Sequence, residues 1–289
     1  MPELPEVEIL ALHLRPLVES QTIHHTQILR DKTCRPHTPQ DLGKALNQHQ
    51  IQSLERLGKY LVFTAHPPDA PSSKLRFLIH LGMTGRLFIQ PADQPLPKHA
   101  AACLTLDRGN LVFQDTRYFG RFTLDLSPLE RLGPEPLSVN FTANRFVHDL
   151  QTSRQPIKVR LLDQSLVAGV GNIYASEALF RARIHPARPA NTLTPTEIHT
   201  LRNTIRTVLR QAIRFGSTVP LNFSASPSSN GLFYYGTAPE TTSYEERLLV
   251  YDREHLPCTH CRTPIQRLTQ AQRSTYLCPT CQTQPQKTR

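Results

Sequence analysis

The chain has 289 residues, with 33 Lys and Arg against 23 Asp and Glu, a formal net charge of +10. That length allows two or three domains with a sizeable core, and the positive balance points to a polyanionic partner. No apolar run approaches the ~18 residues of a membrane span, and the acidic opening is unlike a secretory signal, so a cytoplasmic location is expected.

The charge is unevenly placed. Residues 154–214 carry ten Lys and Arg against three acids, and residues 253–289 carry six against one. Between them, residues 215–252 hold one base against four acids.

The chain opens "MPELPEVEIL". Pro5 suits a first helical turn, and Val7, Leu10, Leu14 and Leu17 or Val18 recur at helical spacing, which predicts a helix from Pro5. Read as structure alone, Pro2, Glu3 and Glu6 need no further role. Read as chemistry, loss of Met1 makes Pro2 a terminal secondary amine. An α-amino group has a pKa near ~8 against ~10.4 for lysine, so far more of it is an unprotonated nucleophile at neutral pH. Such an amine can form an iminium with a sugar carbon. Glu3 is placed for general acid or base work, and Glu6, in the first turn, to orient the terminus.

Strand-like runs follow: "RLGKYLVFTA", "KLRFLIHLGMTGRLFIQ" and "CLTLDRGNLVFQDTRYFGRFTLDL", with "DRGN" as a hairpin turn. Residues 2–126 therefore read as a β-rich sandwich or barrel with one N-terminal helix. Cys34 and Cys103 stand alone and read as buried small apolar side chains.

"SPLERLGPEPLS", residues 127–138, reads as a linker, and residues 139–216 as helical. Gly169 and Gly171 precede Asn172 and a helix, a turn that allows phosphate close to free N–H groups, though such turns are mostly structural. From Thr194 a helix is signalled by a cap, by Pro195 at its first position and by Glu197 completing a capping box. Ile198, Leu201, Ile205, Val208 or Leu209, and Ala212 make its apolar stripe, and Gly216 ends it. Arg202, Arg206, Arg210 and Arg214 form a row four apart, either a solvated face or a phosphate-tracking ridge. Residues 217–247 read as a long loop.

Residues 248–284 hold "CTHC" and "CPTC", which set Cys258, Cys261, Cys278 and Cys281 in the spacing of a tetrahedral four-cysteine zinc site. Two disulfides are the alternative, disfavoured in a cytosolic chain. Four thiolates leave no open position, so such a zinc is structural. The intervening residues suit two short strands with Arg273 near the projecting tip.

"PELPEVE", "GKYL", "HLGMTG", "DTRYFG", "GVGNIYASE" and the four-cysteine unit occur together and in this order. In this the chain resembles the formamidopyrimidine-DNA glycosylase family over nearly its whole length. The endonuclease VIII branch typically opens "PEGPE", so Leu4 favours the oxidised-purine branch. The resemblance implies a two-domain α+β fold: an N-terminal β-sandwich with a helix, then a helix–two-turn–helix bundle and a zinc finger. It implies a bifunctional glycosylase and abasic-site lyase of base-excision repair, acting on oxidised purines through a Pro2 Schiff base and β,δ-elimination.

By the same resemblance Pro2 is the nucleophile and Glu3 the acid at the sugar, while Glu6 is a catalytic candidate from its place in the first helical turn. Lys59 lies by the lesion phosphate, and Glu3, Lys59 and Arg273 are the proton-donor positions. Met83, Arg117 and Phe119 match the trio inserted where the damaged nucleotide leaves the stack. His80, His99, Lys158, Asn172 and Arg273 match positions that hold the DNA backbone or the lesion. Residues 217–247 match the lesion-recognition region, although "TAPETTSYEER" lengthens it. Tyr118 stands where the family often has a second arginine, and Ala100 and Ala101 replace an acidic-His pair. The implied partner is double-stranded damaged DNA. A monomer with one structural zinc and no membrane association is implied too, cytoplasmic and nucleoid-associated in a bacterium.

Overall fold

The computed structural model describes residues 2–216 and 248–283. Two compact units are separated between Glu130 and Arg131.

In the first unit, helix α1 (Leu4–Val18) buries Leu4, Val7, Leu10, Ala11, Leu14 and Val18. Val18 rather than Leu17 closes the stripe, for Leu17 is 43% exposed. Strand β1 (His25–Ile28) is followed by the single turn α2 (Asp31–Cys34) and by α3 (Pro39–Leu46). Then come β2 (Gln50–Leu57), β3 (Tyr60–His66), β4 (Leu75–His80), β5 (Gly85–Gln90), β6 (Ala100–Leu106), β7 (Gly109–Asp115) and β8 (Arg121–Thr123). These form two four-stranded sheets, ordered β1-β6-β7-β5 and β2-β3-β4-β8, with every pair antiparallel.

One apolar core draws on both sheets and on α1. It includes Leu10, Leu14, Leu61, Phe63, Phe77, Leu87, Leu104, Phe113 and Phe122. The Phe63 and Phe77 rings stack with centroids 4.7 Å apart. Burying each such side chain stabilises the fold by about 1.5–3 kcal/mol. This is the helix-bearing sandwich that the resemblance implies. The "DRGN" turn joins β6 to β7, pairing Leu106 with Gly109, whose φ is +127°. Cys34 and Cys103 are buried.

The helical turn α4 (Ser127–Glu130) lies at the boundary. The second unit contains α5 (Ala143–Gln151), α6 (Ile157–Leu161), α7 (Asn172–Arg181) and α8 (Pro195–Gly216). Ile173 to Phe180 are all buried, which makes α7 the central helix. At the start of α8 the Thr194 N–H donates to Glu197 Oε2 at 2.8 Å, and the Glu197 N–H donates back to Thr194 Oγ1 at 3.3 Å. Ile198, Leu201, Ile205, Val208, Leu209 and Ala212 are buried as the stripe predicts.

The arginine row divides. Arg202 donates to Phe141 O at 2.6 Å, and Arg206 to Pro136 O and Ser138 O at 3.1 and 2.9 Å. These two arginines brace residues 136–141 instead of forming half of a free phosphate ridge. Between the two cysteine pairs of the zinc-finger segment lies the hairpin β9 (Gln266–Gln270) and β10 (Arg273–Leu277). Its two-residue turn, Ala271 and Gln272, has φ of 46° and 60°, matching the twist that such hairpins require. No helix among the described residues is long and apolar enough to cross a membrane.

Candidate active site and nucleic-acid interface

Pro2 directly precedes Glu3, which caps α1. The Glu3 N–H donates to Glu6 Oε2 at 2.8 Å. Both carboxylate residues are buried, Glu3 at 1% exposure and Glu6 at 7%. Helix α1 packs on β2 and β3, so the terminal residues start from a rigid base. The capping interaction orients the backbone of the residue after Pro2.

Lys59 follows Gly58, in the two-residue turn between β2 and β3, where Leu57 pairs with Tyr60. Tyr60 in turn pairs with His80, at the end of β4, and their rings lie 4.7 Å apart. The Gly82 N–H donates to His80 Nδ1 at 3.1 Å, which leaves the ring proton on Nε2. Burial, reinforced by the Lys59 and Arg121 charges, pushes the imidazole pKa down to about 4. His80 is therefore a neutral N–H donor at physiological pH.

Two loops present the three residues that the resemblance matches to the inserted trio. Residues 81–84 carry Met83, and residues 116–120 carry Arg117 and Phe119. Asp115, 1% exposed, ties them together. Its carboxylate accepts from Thr84 Oγ1 at 2.6 Å, from the Arg117 N–H at 3.2 Å and from the Gly120 N–H at 2.8 Å. A Cβ on Gly82 would stand 2.8 Å from the Gly120 nitrogen, so glycine is needed for the two backbones to meet. Met83 and Phe119 are nevertheless 41% and 49% exposed, and the Arg117 guanidinium lies 4.8 Å over the Phe119 ring. Two large apolar side chains held outward on braced loops suit insertion into a stack of bases.

His99 precedes β6, with its Nδ1 3.1 Å from the Tyr118 hydroxyl. Nothing in the sequence links positions 99 and 118.

In the second unit Lys158 is 1% exposed. Its Nζ donates to Asn172 Oδ1 at 2.7 Å, Ser274 O at 2.9 Å and Thr275 Oγ1 at 2.7 Å. Asn172 Nδ2 also donates to Ser274 O, at 3.0 Å. The lysine thus joins the start of α7 to β10, where Arg273 is exposed at the first position. Gly169, with φ of 81°, and Gly171, the cap of α7, form the turn before Asn172.

Glu177, buried in α7, accepts from the N–H groups of Leu249, Val250 and Tyr251, each at 2.9 Å. Burial raises its pKa against the pull of those donors. Asp115, Thr84 and Glu177 all lie within the quoted motifs, but the sequence offers no sign of their partners. The expected lesion-recognition region, residues 217–247, lies outside the described residues, as does residue 284 of the zinc-finger span.

The Sγ atoms of Cys258, Cys261, Cys278 and Cys281 all lie within 4.8 Å of one another. The Cys258–Cys281, Cys261–Cys278 and Cys261–Cys281 separations are 3.9, 3.4 and 3.6 Å. Disulfide sulfurs are about 2.05 Å apart. A tetrahedral ion with Zn–S near ~2.3 Å sets its sulfurs about 3.8 Å apart, so the donor set fits zinc.

Three family models cover the chain. The formamidopyrimidine-DNA glycosylase N-terminal domain matches residues 1–122, its H2TH domain residues 132–222, and the zinc finger found in FPG and IleRS residues 256–284. The chain belongs to the formamidopyrimidine-DNA glycosylase family. The formamidopyrimidine-DNA glycosylase of Herpetosiphon aurantiacus is 40% identical over 289 residues, covering 98% of this chain and 100% of its own. That of Thermus thermophilus is 39% identical, with 98% of each chain covered.

Among solved structures, a Lactococcus lactis FPG mutant in complex with Fapy-dG containing DNA has a TM-score of 0.84 and 32% identity. It covers 98% of this chain and 100% of its own. The MutM (FPG) protein of Thermus thermophilus has a TM-score of 0.81 and 38% identity, covering 97% and 98%. As a member of this family the chain is a DNA-binding repair enzyme, and its four cysteines form the ligand set for one structural zinc. Held by these four thiolates, which leave no open coordination position, the ion would serve to organise the hairpin between the two cysteine pairs.

Proposed function

We propose that the enzyme excises oxidised purines (8-oxoguanine and formamidopyrimidines) from double-stranded DNA and then cleaves the strand as an abasic-site lyase. The observation that supports this most directly is the terminus itself. Pro2 adjoins the buried Glu3, whose backbone N–H is held by the buried Glu6 carboxylate.

With Met1 removed, the Pro2 nitrogen attacks C1′ of the damaged nucleotide. The glycosidic bond breaks, and its electron pair leaves with the base. Glu3 protonates the sugar ring oxygen, the ring opens, and an iminium forms between the proline nitrogen and C1′. Loss of a C2′ proton expels the 3′ phosphate, and a second elimination expels the 5′ phosphate. Lys59 and Arg273 serve the lesion phosphates and supply protons there.

Met83, Arg117 and Phe119 fill the gap left by the extruded nucleotide, offsetting the few kcal/mol that extrusion costs. His80, as a neutral donor, His99 and Asn172 hold the backbone. Lys158 acts through Asn172 and β10, since its three ammonium donors are already engaged.

Borohydride reduction on duplexes containing defined lesions tests the reading. A covalent adduct should form on oxidised purines, with Pro2→Gly and Glu3→Gln both losing it. Intact mass should show the chain without Met1. Trapping that survives both substitutions together, or a protein that retains Met1 yet nicks at full rate, would overturn the mechanism. Preference for oxidised pyrimidines would overturn the substrate assignment alone.

A further inference from the structure

The loop carrying Arg117 and Phe119 also presents Tyr118, and both rings meet cations from a different part of the first unit. The Arg30 guanidinium lies 4.8 Å over the Tyr118 ring, and the Lys32 ammonium 5.8 Å from the centre of the Phe119 ring. Backbone bonds place these cations. The N–H groups of Leu29 and Arg30 both donate to Ala101 O, at 2.9 and 3.2 Å, and Arg121 Nη1 donates to Lys32 O at 2.6 Å. Residues 29–30 are thereby fixed against the start of β6, and α2 against β8.

Arg30, Lys32, Arg117 and Arg121 are all exposed, so this edge of the unit carries four cations around two aromatic rings. Exposed cation–π contacts are weak, yet they bias a long side chain towards one position without neutralising it. A guanidinium stacked on a ring keeps its edge N–H groups available, and a planar fork of donors suits phosphate. On the other side of Tyr118, its hydroxyl donates to His99 Nδ1 when the imidazole proton sits on Nε2. His99 Nε2 is then a donor as well.

We propose that Arg30 and Lys32 form a second backbone-binding arm for DNA beside the wedge loop, with Tyr118 as the platform that positions Arg30 through its ring and His99 through its hydroxyl. The departure at position 118 thus removes no cation from this edge. The charge arrives from position 30. The part concerning His99 rests on the proposed role of that residue, whereas the arm itself requires only that the enzyme bind DNA.

The test is the salt dependence of affinity for a labelled duplex carrying a tetrahydrofuran abasic analogue, measured on the full-length protein between about 50 and 200 mM salt. Arg30→Ala with Lys32→Ala should weaken binding roughly tenfold at the lower salt and reduce the log–log slope by between about one and two. Thermal melting should change little, since both side chains are exposed and each ring contact is weak. Tyr118→Leu should reproduce the Arg30 part of the loss. Tyr118→Phe should keep the slope and lose only the contribution of His99. Placing an arginine directly on the loop, Tyr118→Arg in the Arg30→Ala background, should restore the slope.

Wild-type affinity and slope in the double variant would refute the arm, and failure of Tyr118→Arg to restore the slope would refute the positional exchange. Borohydride trapping by the wild-type protein on an oxidised-purine duplex reads the catalytic step independently of the arm. A loss of trapping in wild type would therefore strike the catalytic reading and leave the arm standing.

Discussion

The ammonium of Lys158 sits 2.7 Å from Oδ1 of Asn172 and reaches Thr275 Oγ1 at the same distance, so one buried cation sets the first residue of α7 against β10. Its three donors are all spent on the protein. Lys158→Met keeps the stem and removes the charge, leaving the Thr275 and Ser274 oxygens and Asn172 short of a donor. An unsatisfied buried group costs about 1–3 kcal/mol, so a stability loss in that range is expected from denaturant titration. DNA affinity should fall with it. Unchanged stability and affinity together would mean that the lysine is not the joint between α7 and the hairpin.

Asp115 plays the corresponding part in the first unit. Asp115→Asn presents an amide N–H₂ to donors that now meet a carboxylate oxygen, so one of Thr84 Oγ1, the Arg117 N–H and the Gly120 N–H loses its acceptor. The cost should be about 1–3 kcal/mol in stability. A fluorescent base analogue opposite or beside the lesion should also report less unstacking at saturating protein. Full unstacking by a destabilised Asp115→Asn protein would show that Met83, Arg117 and Phe119 hold their places without it.

The zinc site makes a prediction of composition. Purified protein should contain one zinc per chain, measured by elemental mass spectrometry. Cys258→Ser should lower that content and abolish tight DNA binding while leaving the melting of the first unit in place. Because metal binding is coupled to folding of so small a hairpin, prolonged chelation should have the same effect as the substitution. Retention of full affinity after the metal has gone would separate the hairpin from DNA binding.

His80 gives a pH dependence. Its folded pKa is depressed from about 6.5 to about 4 by burial and by the Lys59 and Arg121 charges. The unfolded chain therefore takes up a proton near pH ~6.5, while the folded protein resists until about 4. The unfolded state binds more protons in between, so stability rises with pH across that window and its His80 share is complete above it. His80→Gln should flatten this part of the stability profile between pH 4 and 6.5. A profile identical to wild type would mean that the imidazole is not held neutral.

Much of the site was legible in local patterns. The capping box at Thr194 and Glu197, the stripe of α8 and the spacing of the four cysteines are short-range features. Helix and turn geometry turns such spacings directly into positions. The unread elements are those with weak local signals. Strand β1, "HTQI", has one buried residue and sits at a sheet edge, so no alternation marks it. Helix α3 does carry a sequence signature, with Thr38, Pro39 and Asp41 in capping positions, but its apolar positions are few.

By itself the sequence determined the order of the elements, the metal-ligand set and the chemical types at the terminus, since all of these depend on residue identity and spacing along the chain. Only the tertiary structure decided which distant residues share a bond: Lys158 with Thr275, Asp115 with Thr84, Glu177 with the backbone of residues 249–251, Tyr118 with Arg30 and His99. The reason is that a polar group excluded from water must find a partner, and that partner is set by which surfaces the apolar core brings together.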